Sequence, residues 1–153
     1  FNRMKYFFSA FLLLLCLSSC NKKKTEKQAS ADESTIKEYI ANNNLKATAT
    51  GTGLYYSIEN QGEGKPCTSS SIVRVVYKGY FSDGTIFDES SISGIEIGLQ
   101  NVIKGWKEGI PYFKEGGKGK LFVPSALGYG SKSNSGIPAN SVLIFDIKLL
   151  EVL

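Results

Sequence analysis

The chain has 153 residues, enough for one compact domain with appendages, and its 18 basic against 14 acidic residues leave a formal charge of +4. It contains no histidine, which excludes imidazole-dependent triads and histidine-built metal centres. From Gly51 to the C-terminus ten Lys or Arg residues are balanced by ten Asp or Glu. The positive excess therefore lies in the N-terminal third, and a phosphate-tracking, nucleic-acid-binding body is excluded.

The N-terminal stretch NRMKYFFSAFLLLLCLSSC opens with basic Arg3 and Lys5. It continues with an apolar run, Tyr6 to Leu17, too short to span a membrane and remain there. Leu17-Ser18-Ser19-Cys20 resembles the lipobox of bacterial lipoproteins. This predicts a signal peptide over 1–19, with Met4 as the natural initiator, and lipidation at Cys20. Cys16 then leaves with the signal and Cys67 is the only free thiol. The polar run that follows, NKKKTEKQAS, predicts a flexible tether over 20–31, whose lysines would rest on anionic headgroups. A short helical extension is expected over 32–50, capped by Asp32 or Ser34, with Ile36, Tyr39 and Ile40 on one face and Asn42-Asn43-Asn44 as its stop. So short a helix is stable only when packed on something. It could be a spacer or half of a dimer contact.

Beyond Gly51 the pattern turns to strands. Gly53 to Ile58 alternates and stops at Gly62-Glu63-Gly64, which lacks the strand–helix context of a phosphate loop. Ile72 to Lys78 places Val73, Val75 and Tyr77 on one face, and Phe81-Ser82-Asp83-Gly84-Thr85 reads as a hairpin turn. VIKGWKEG holds the only tryptophan, and Ile103, Trp106 and Ile110 fall at helical spacing before Pro111. Lys120 to Val123 is a short strand closed by Pro124. In Leu143 to Leu150, the residues Leu143, Phe145, Ile147 and Leu149 face one way, and Asp146 and Lys148 the other. Cys67, between Pro66 and Thr68, reads as an inert turn residue, and Asp146 as solvent-facing or ion-paired. The sum is α+β: an antiparallel sheet with one short helix that puts Trp106 on its concave face.

Eight ordered pieces carry a resemblance from about Gly53 onward: Val76-Tyr77-Lys78-Gly79, Asp83 to Asp88, Val102 to Trp106, Gly116-Gly117-Lys118, Leu121 to Pro124, Gly128-Tyr129-Gly130, Gly136-Ile137-Pro138 and Leu143 to Asp146. In this order and spacing they resemble the FKBP-type peptidyl-prolyl isomerases. The N-terminal part is similar to that of lipoprotein members from Bacteroidetes-like bacteria, some linked to gliding. The resemblance implies a half-barrel sheet wrapped around one short helix, with an aromatic pocket between them. By the same resemblance Trp106 is the pocket floor, and Tyr77, Phe87 and Phe145 are its walls. Asp88 is the pocket carboxylate, Ile103 and Tyr129 supply hydrogen-bond donors, and Ile95, Val102, Gly128 and Ile137 contact substrate.

Rotating a peptide bond breaks amide resonance but makes and cuts no bond. Such a reaction needs no nucleophile, metal or cofactor, which suits a chain without histidine. The resemblance therefore implies an isomerase acting on proline-containing polypeptides of the envelope, and a tacrolimus-type macrolide as inhibitor. The membrane is expected as a partner through the lipid anchor, and nucleic acid is not. Asn21 after Cys20 and the basic NKKK run favour the outer membrane, facing the periplasm. The alternative is a non-catalytic proline-binding chaperone or motility-machinery subunit on the same fold.

Overall fold

The computed structural model describes the backbone of residues 4–153 and the side chains from residue 22 onward. The expected signal segment and the expected lipidation site at Cys20 lie outside the residues whose side chains are described. The first element, α1 (Met4–Asn42), is one unbroken helix. The segment 20–31, expected as a flexible tether, is therefore helical. Its lysine, glutamate, glutamine and alanine residues are all good helix formers, and Lys22 lies 4.0 Å from Glu26 one turn on. Asp32 and Ser34 are consequently interior positions rather than caps, and the Ser34 hydroxyl donates back to the Ser30 carbonyl at 3.0 Å. The helix ends at Asn42, as the asparagine run predicts. Asn44 takes up a left-handed conformation at φ 52°, which asparagine tolerates.

Seven antiparallel strands follow: β1 (Thr48–Ala49), β2 (Tyr55–Asn60), β3 (Ile72–Tyr80), β4 (Ile86–Glu89), β5 (Ile95–Gly98), β6 (Lys118–Val123) and β7 (Leu143–Val152). Their order is β1-β2-β6-β7-β3-β4, with β5 also pairing β3. The long strand β3 meets β7 along its length, β5 at Ile72 to Val75 and β4 at Lys78 to Tyr80. The β3–β4 connection is the expected hairpin, closed by Phe81 and Thr85. The sequence reading did not single out β1 and β5: two and four residues give too little alternation to register a period.

Alternation along the strands divides the apolar residues between two faces. Val73, Val75, Leu121, Val123, Leu143, Phe145, Ile147 and Leu149 point to the concave side and pack with Trp106, Ile110 and Phe113. The short helix α2 (Lys104–Gly109) lies there, continued by a 3-10 turn, Ile110–Tyr112, that contains Pro111. A Cβ on Gly105 would sit 2.5 Å from Val123 Cγ1, and one on Gly109 2.7 Å from Leu121 Cδ2. The two glycines beside Trp106 thus let α2 lie directly on β6. Cys67 is buried in this core, its Sγ 3.7 Å from the Ile110 carbonyl. Burial pushes its thiol up, away from the reactive thiolate.

The convex side is covered at one end by α1. Ile36 is fully buried against Phe122, Ile144, Tyr80 and Val142, with Tyr39 and Ile40 packed alongside. The Tyr39 ring stands 6.1 Å from that of Phe122 and 6.4 Å from that of Tyr80. The predicted apolar stripe is therefore a docking face for the chain's own sheet. Burying Ile36 alone contributes about 1.5–3 kcal/mol. Asp146 is ion-paired, with Lys120, and accepts the Tyr80 hydroxyl at 2.9 Å.

Candidate active site

Between α2, the concave face and the β5 edge lies a cavity of about 320 Å³. It is lined by Tyr77, Phe87, Asp88, Ile95, Ile97, Asn101, Val102, Ile103, Trp106, Tyr129 and Phe145. Trp106 projects from α2, Tyr77 from β3, Phe87 and Asp88 from β4, and Phe145 from β7. The rings meet edge to face: Tyr77 to Trp106 at 5.0 Å and 81°, Trp106 to Phe145 at 5.2 Å and 82°, Phe87 to Phe145 at 5.6 Å and 89°. These are the geometries in which the positive edge of one ring meets the negative face of another. Phe81 supports Phe87 from behind at 5.0 Å. Gly79 makes the cage possible, since a Cβ there would lie 2.7 Å from the Phe87 ring and 2.9 Å from Phe145.

Polar groups are few. The Tyr77 hydroxyl donates to Asp88 Oδ2 at 2.6 Å. Burial first, and then the hydrogen bond to Asp88 and its charge, push that hydroxyl well above the usual tyrosine range. Tyr77 is fixed at its backbone too, where its N–H donates to Ser90 Oγ at 3.0 Å. Tyr129 is 39% exposed and stands at the rim. Ile103 lies at the head of α2. Its carbonyl accepts the Trp106 and Lys107 N–H groups, and its own N–H has no acceptor among the described residues. The indole N–H of Trp106 is buried and likewise unpartnered among them. An orphan donor of this kind costs about 1–3 kcal/mol. The floor of the cavity thus carries a hydrogen-bond donor with no acceptor among the described residues.

Nine of the eleven residues singled out from the sequence line this one cavity: Tyr77, Phe87, Asp88, Ile95, Val102, Ile103, Trp106, Tyr129 and Phe145. The other two, Ile137 and Gly128, are not among its lining residues. Ile137, expected to contact substrate, is 6% exposed and packed in the core. The tight turn at Ser135 and Gly136, closed by two hydrogen bonds between Asn134 and Ile137, folds that side chain inward. Gly128 is not part of the lining, and a Cβ there would meet Leu143 Cδ1 at 3.1 Å. Ile97 and Asn101 line the cavity without having been foreseen. Ile97 is two residues on from Ile95 and so shares its face of β5, a strand too short for that alternation to stand out in the sequence.

The family model for FKBP-type peptidyl-prolyl cis-trans isomerase matches residues 63–150. The chain belongs to this family. It is 48% identical over 105 residues to the FKBP-type peptidyl-prolyl cis-trans isomerase FkpA of Buchnera aphidicola from Acyrthosiphon pisum, covering 67% of this chain and 44% of that one. To FkpA of Escherichia coli K12 it is 41% identical over 133 residues, covering 84% and 49%. The crystal structure of FkpA from Escherichia coli superimposes with a TM-score of 0.72 at 35% identity, covering 99% of this chain and 73% of that one. The chain thus spans about half the length of the curated relatives it matches. In an FKBP-type chain the aromatic cavity is the feature to interpret.

Proposed function

We propose that the protein is a peptidyl-prolyl cis-trans isomerase that rotates Xaa-Pro bonds in the Trp106 cavity. The observation that carries this reading is a cage of four aromatic rings around a cavity whose lining holds no serine, cysteine, lysine or histidine. Such a lining offers a place for an apolar ring. Its volume falls within the range of preformed ligand sites.

The pyrrolidine ring lies on the Trp106 face between Tyr77, Phe87 and Phe145. The amide carbonyl before it is drawn out of water. Resonance gives that carbonyl its charge separation in the planar state, and the twisted state loses it. A dry apolar site therefore favours the twisted state relative to the ground state. The Ile103 N–H and the Tyr129 hydroxyl are donors placed for the rotated geometry. Asp88 holds the Tyr77 hydroxyl and transfers no proton. The uncatalysed barrier is about 18–20 kcal/mol, and lowering it by about 4 kcal/mol gives roughly a thousandfold acceleration. A tacrolimus-type macrolide fills the same cavity and competes with substrate.

The test is the cis–trans exchange rate of a Xaa-Pro peptide with the purified full-length chain and with Phe87→Ala. Acceleration that falls about tenfold or more in the variant supports the reading. A folded protein that leaves the exchange rate at its uncatalysed value refutes it.

The site is held at the cell envelope by lipid on Cys20, in the outer membrane and facing the periplasm. Its substrates are proline-containing envelope polypeptides. The sequence Leu17-Ser18-Ser19-Cys20 supports the anchor. Labelled fatty acid is expected on the native protein and absent from Cys20→Ala. Surface-protease cleavage in intact cells would overturn the periplasmic orientation.

A further inference from the structure

The N-terminal helix also meets the segment that leads to Tyr129, through a buried polar contact. Asp32, on α1, is 3% exposed, and so is Ser125, 93 positions along the chain. Asp32 Oδ2 accepts the Ser125 N–H at 2.8 Å and the Ser125 hydroxyl at 2.6 Å. Its other oxygen accepts the Gln28 side-chain amide at 2.7 Å, one helical turn earlier. An open cleft of about 370 Å³ borders this junction.

Ser125 opens the 3-10 turn Ser125–Leu127, which leads directly into Gly128-Tyr129-Gly130. Its carbonyl oxygen accepts the N–H of Gly128 at 3.0 Å and of Gly130 at 2.8 Å. Those are the two residues flanking Tyr129. Every polar group of Ser125 is therefore committed: N–H and O–H to Asp32, and C=O to both sides of Tyr129. The Gly130 carbonyl in turn accepts the Asn140 N–H at 2.8 Å, tying in the far end of the adjoining loop.

A buried carboxylate is an expensive way to dock a helix. Docking is already supplied by Ile36, Tyr39 and Ile40 on the convex face. What Asp32 adds is a fixed position for one backbone segment. The Tyr129 ring is exposed at the rim, so little packing holds it, and its direction follows from the backbone on either side.

We propose that Asp32 is a positioning residue for Tyr129, acting through Ser125, so that the N-terminal helix sets the geometry of the hydroxyl donor. The inference rests on the reading of Tyr129 as a donor in prolyl isomerisation. It makes α1 part of the isomerase unit rather than an appendage to it.

The test uses the full-length chain. Asp32→Ala is expected to lower kcat/KM for a Xaa-Pro peptide about tenfold and to speed amide hydrogen exchange at Gly128 and Gly130. Asp32→Asn, which keeps an acceptor for Ser125, is expected to restore most of both. In a Tyr129→Phe background Asp32→Ala should cost less than about twofold, because the group it positions is already gone. Equal losses with and without the Tyr129 hydroxyl overturn the proposal, as does unchanged exchange at Gly128 and Gly130. An active enzyme indifferent to Tyr129→Phe overturns it too. If Asp32→Ala does not fold, Ser125→Ala removes only the hydroxyl donor and runs the same comparison, with an expected loss of about threefold. A wild type without isomerase activity refutes the isomerase reading instead. Hydrogen exchange then still decides the tether: lost protection at Gly128 and Gly130 in Asp32→Ala supports it, and retained protection overturns it.

Discussion

The two faces of the sheet are made from alternate residues of the same strands, yet they treat apolar surface differently. On the convex side Tyr80, Phe122 and Ile144 are covered by Ile36, Tyr39 and Ile40 of the helix. The hydroxyl and carboxylate groups at that junction are partnered, Tyr80 with Asp146 and Asp32 with Ser125. On the concave side Tyr77, Phe87, Trp106 and Phe145 contact one another around space that no side chain fills. There the Trp106 indole N–H stays buried without an acceptor among the described residues. A core minimises voids and orphan donors, because each costs stability. The face that tolerates both is the one arranged for something outside the chain. On the proposed function, the contrast also separates residues that stabilise the fold from residues that would act on substrate.

Trp106→Ala gives the largest effect on that contrast. Removing a buried indole is expected to cost about 3–5 kcal/mol and to abolish acceleration of Xaa-Pro exchange, as denaturant unfolding and peptide exchange would show. Ile36→Ala probes the opposite face. It is expected to cost about 2–5 kcal/mol, while the folded fraction keeps kcat/KM within about threefold of wild type. A large loss of turnover there, at full folding, would break the division of labour between the faces.

The smallest expected effect is that of pH. The chain has no histidine, and the proposed mechanism works by desolvation and hydrogen bonding, so kcat/KM is expected to be flat between about pH 6 and 9. Stability has a definite sign at higher pH. The Tyr77 hydroxyl is raised by burial and by Asp88, and that of Tyr80 by burial and then by its bond to Tyr39 and the Asp146 charge. The folded state therefore holds these protons when the unfolded chain releases them. The stabilisation is fully present below the ordinary tyrosine value of about 10 and is lost as pH rises beyond it. Tyr77→Phe should make that decline shallower in unfolding measured against pH.

The readability of the sequence divides along similar lines. The concave pocket was legible because its residues sit in short ordered strings, Asp83 to Asp88 and Val102 to Trp106, where strand and helix period fix which side chain faces inward. The direction of Ile137 was less legible, because a tight turn rather than a strand sets it. The helix over 20–31 was missed because its polar composition suits a tether and a solvated helix equally well, and only its continuity with a docked segment decides between them. Asp32 looked like a cap because an aspartate before Ile36 and Tyr39 has that local signature. Its true partner is Ser125, a contact that no local pattern contains.

The central claim is that a proline ring rests on Trp106 while its peptide bond turns. Because the chain has a single tryptophan, its indole N–H gives one resonance, which can be followed while a Xaa-Pro peptide is titrated in and the peptide's own cis–trans exchange peaks are recorded. The account predicts that the indole signal shifts and saturates over the same peptide concentrations at which exchange accelerates. An indole signal that stays fixed while exchange accelerates would place the chemistry elsewhere and contradict it.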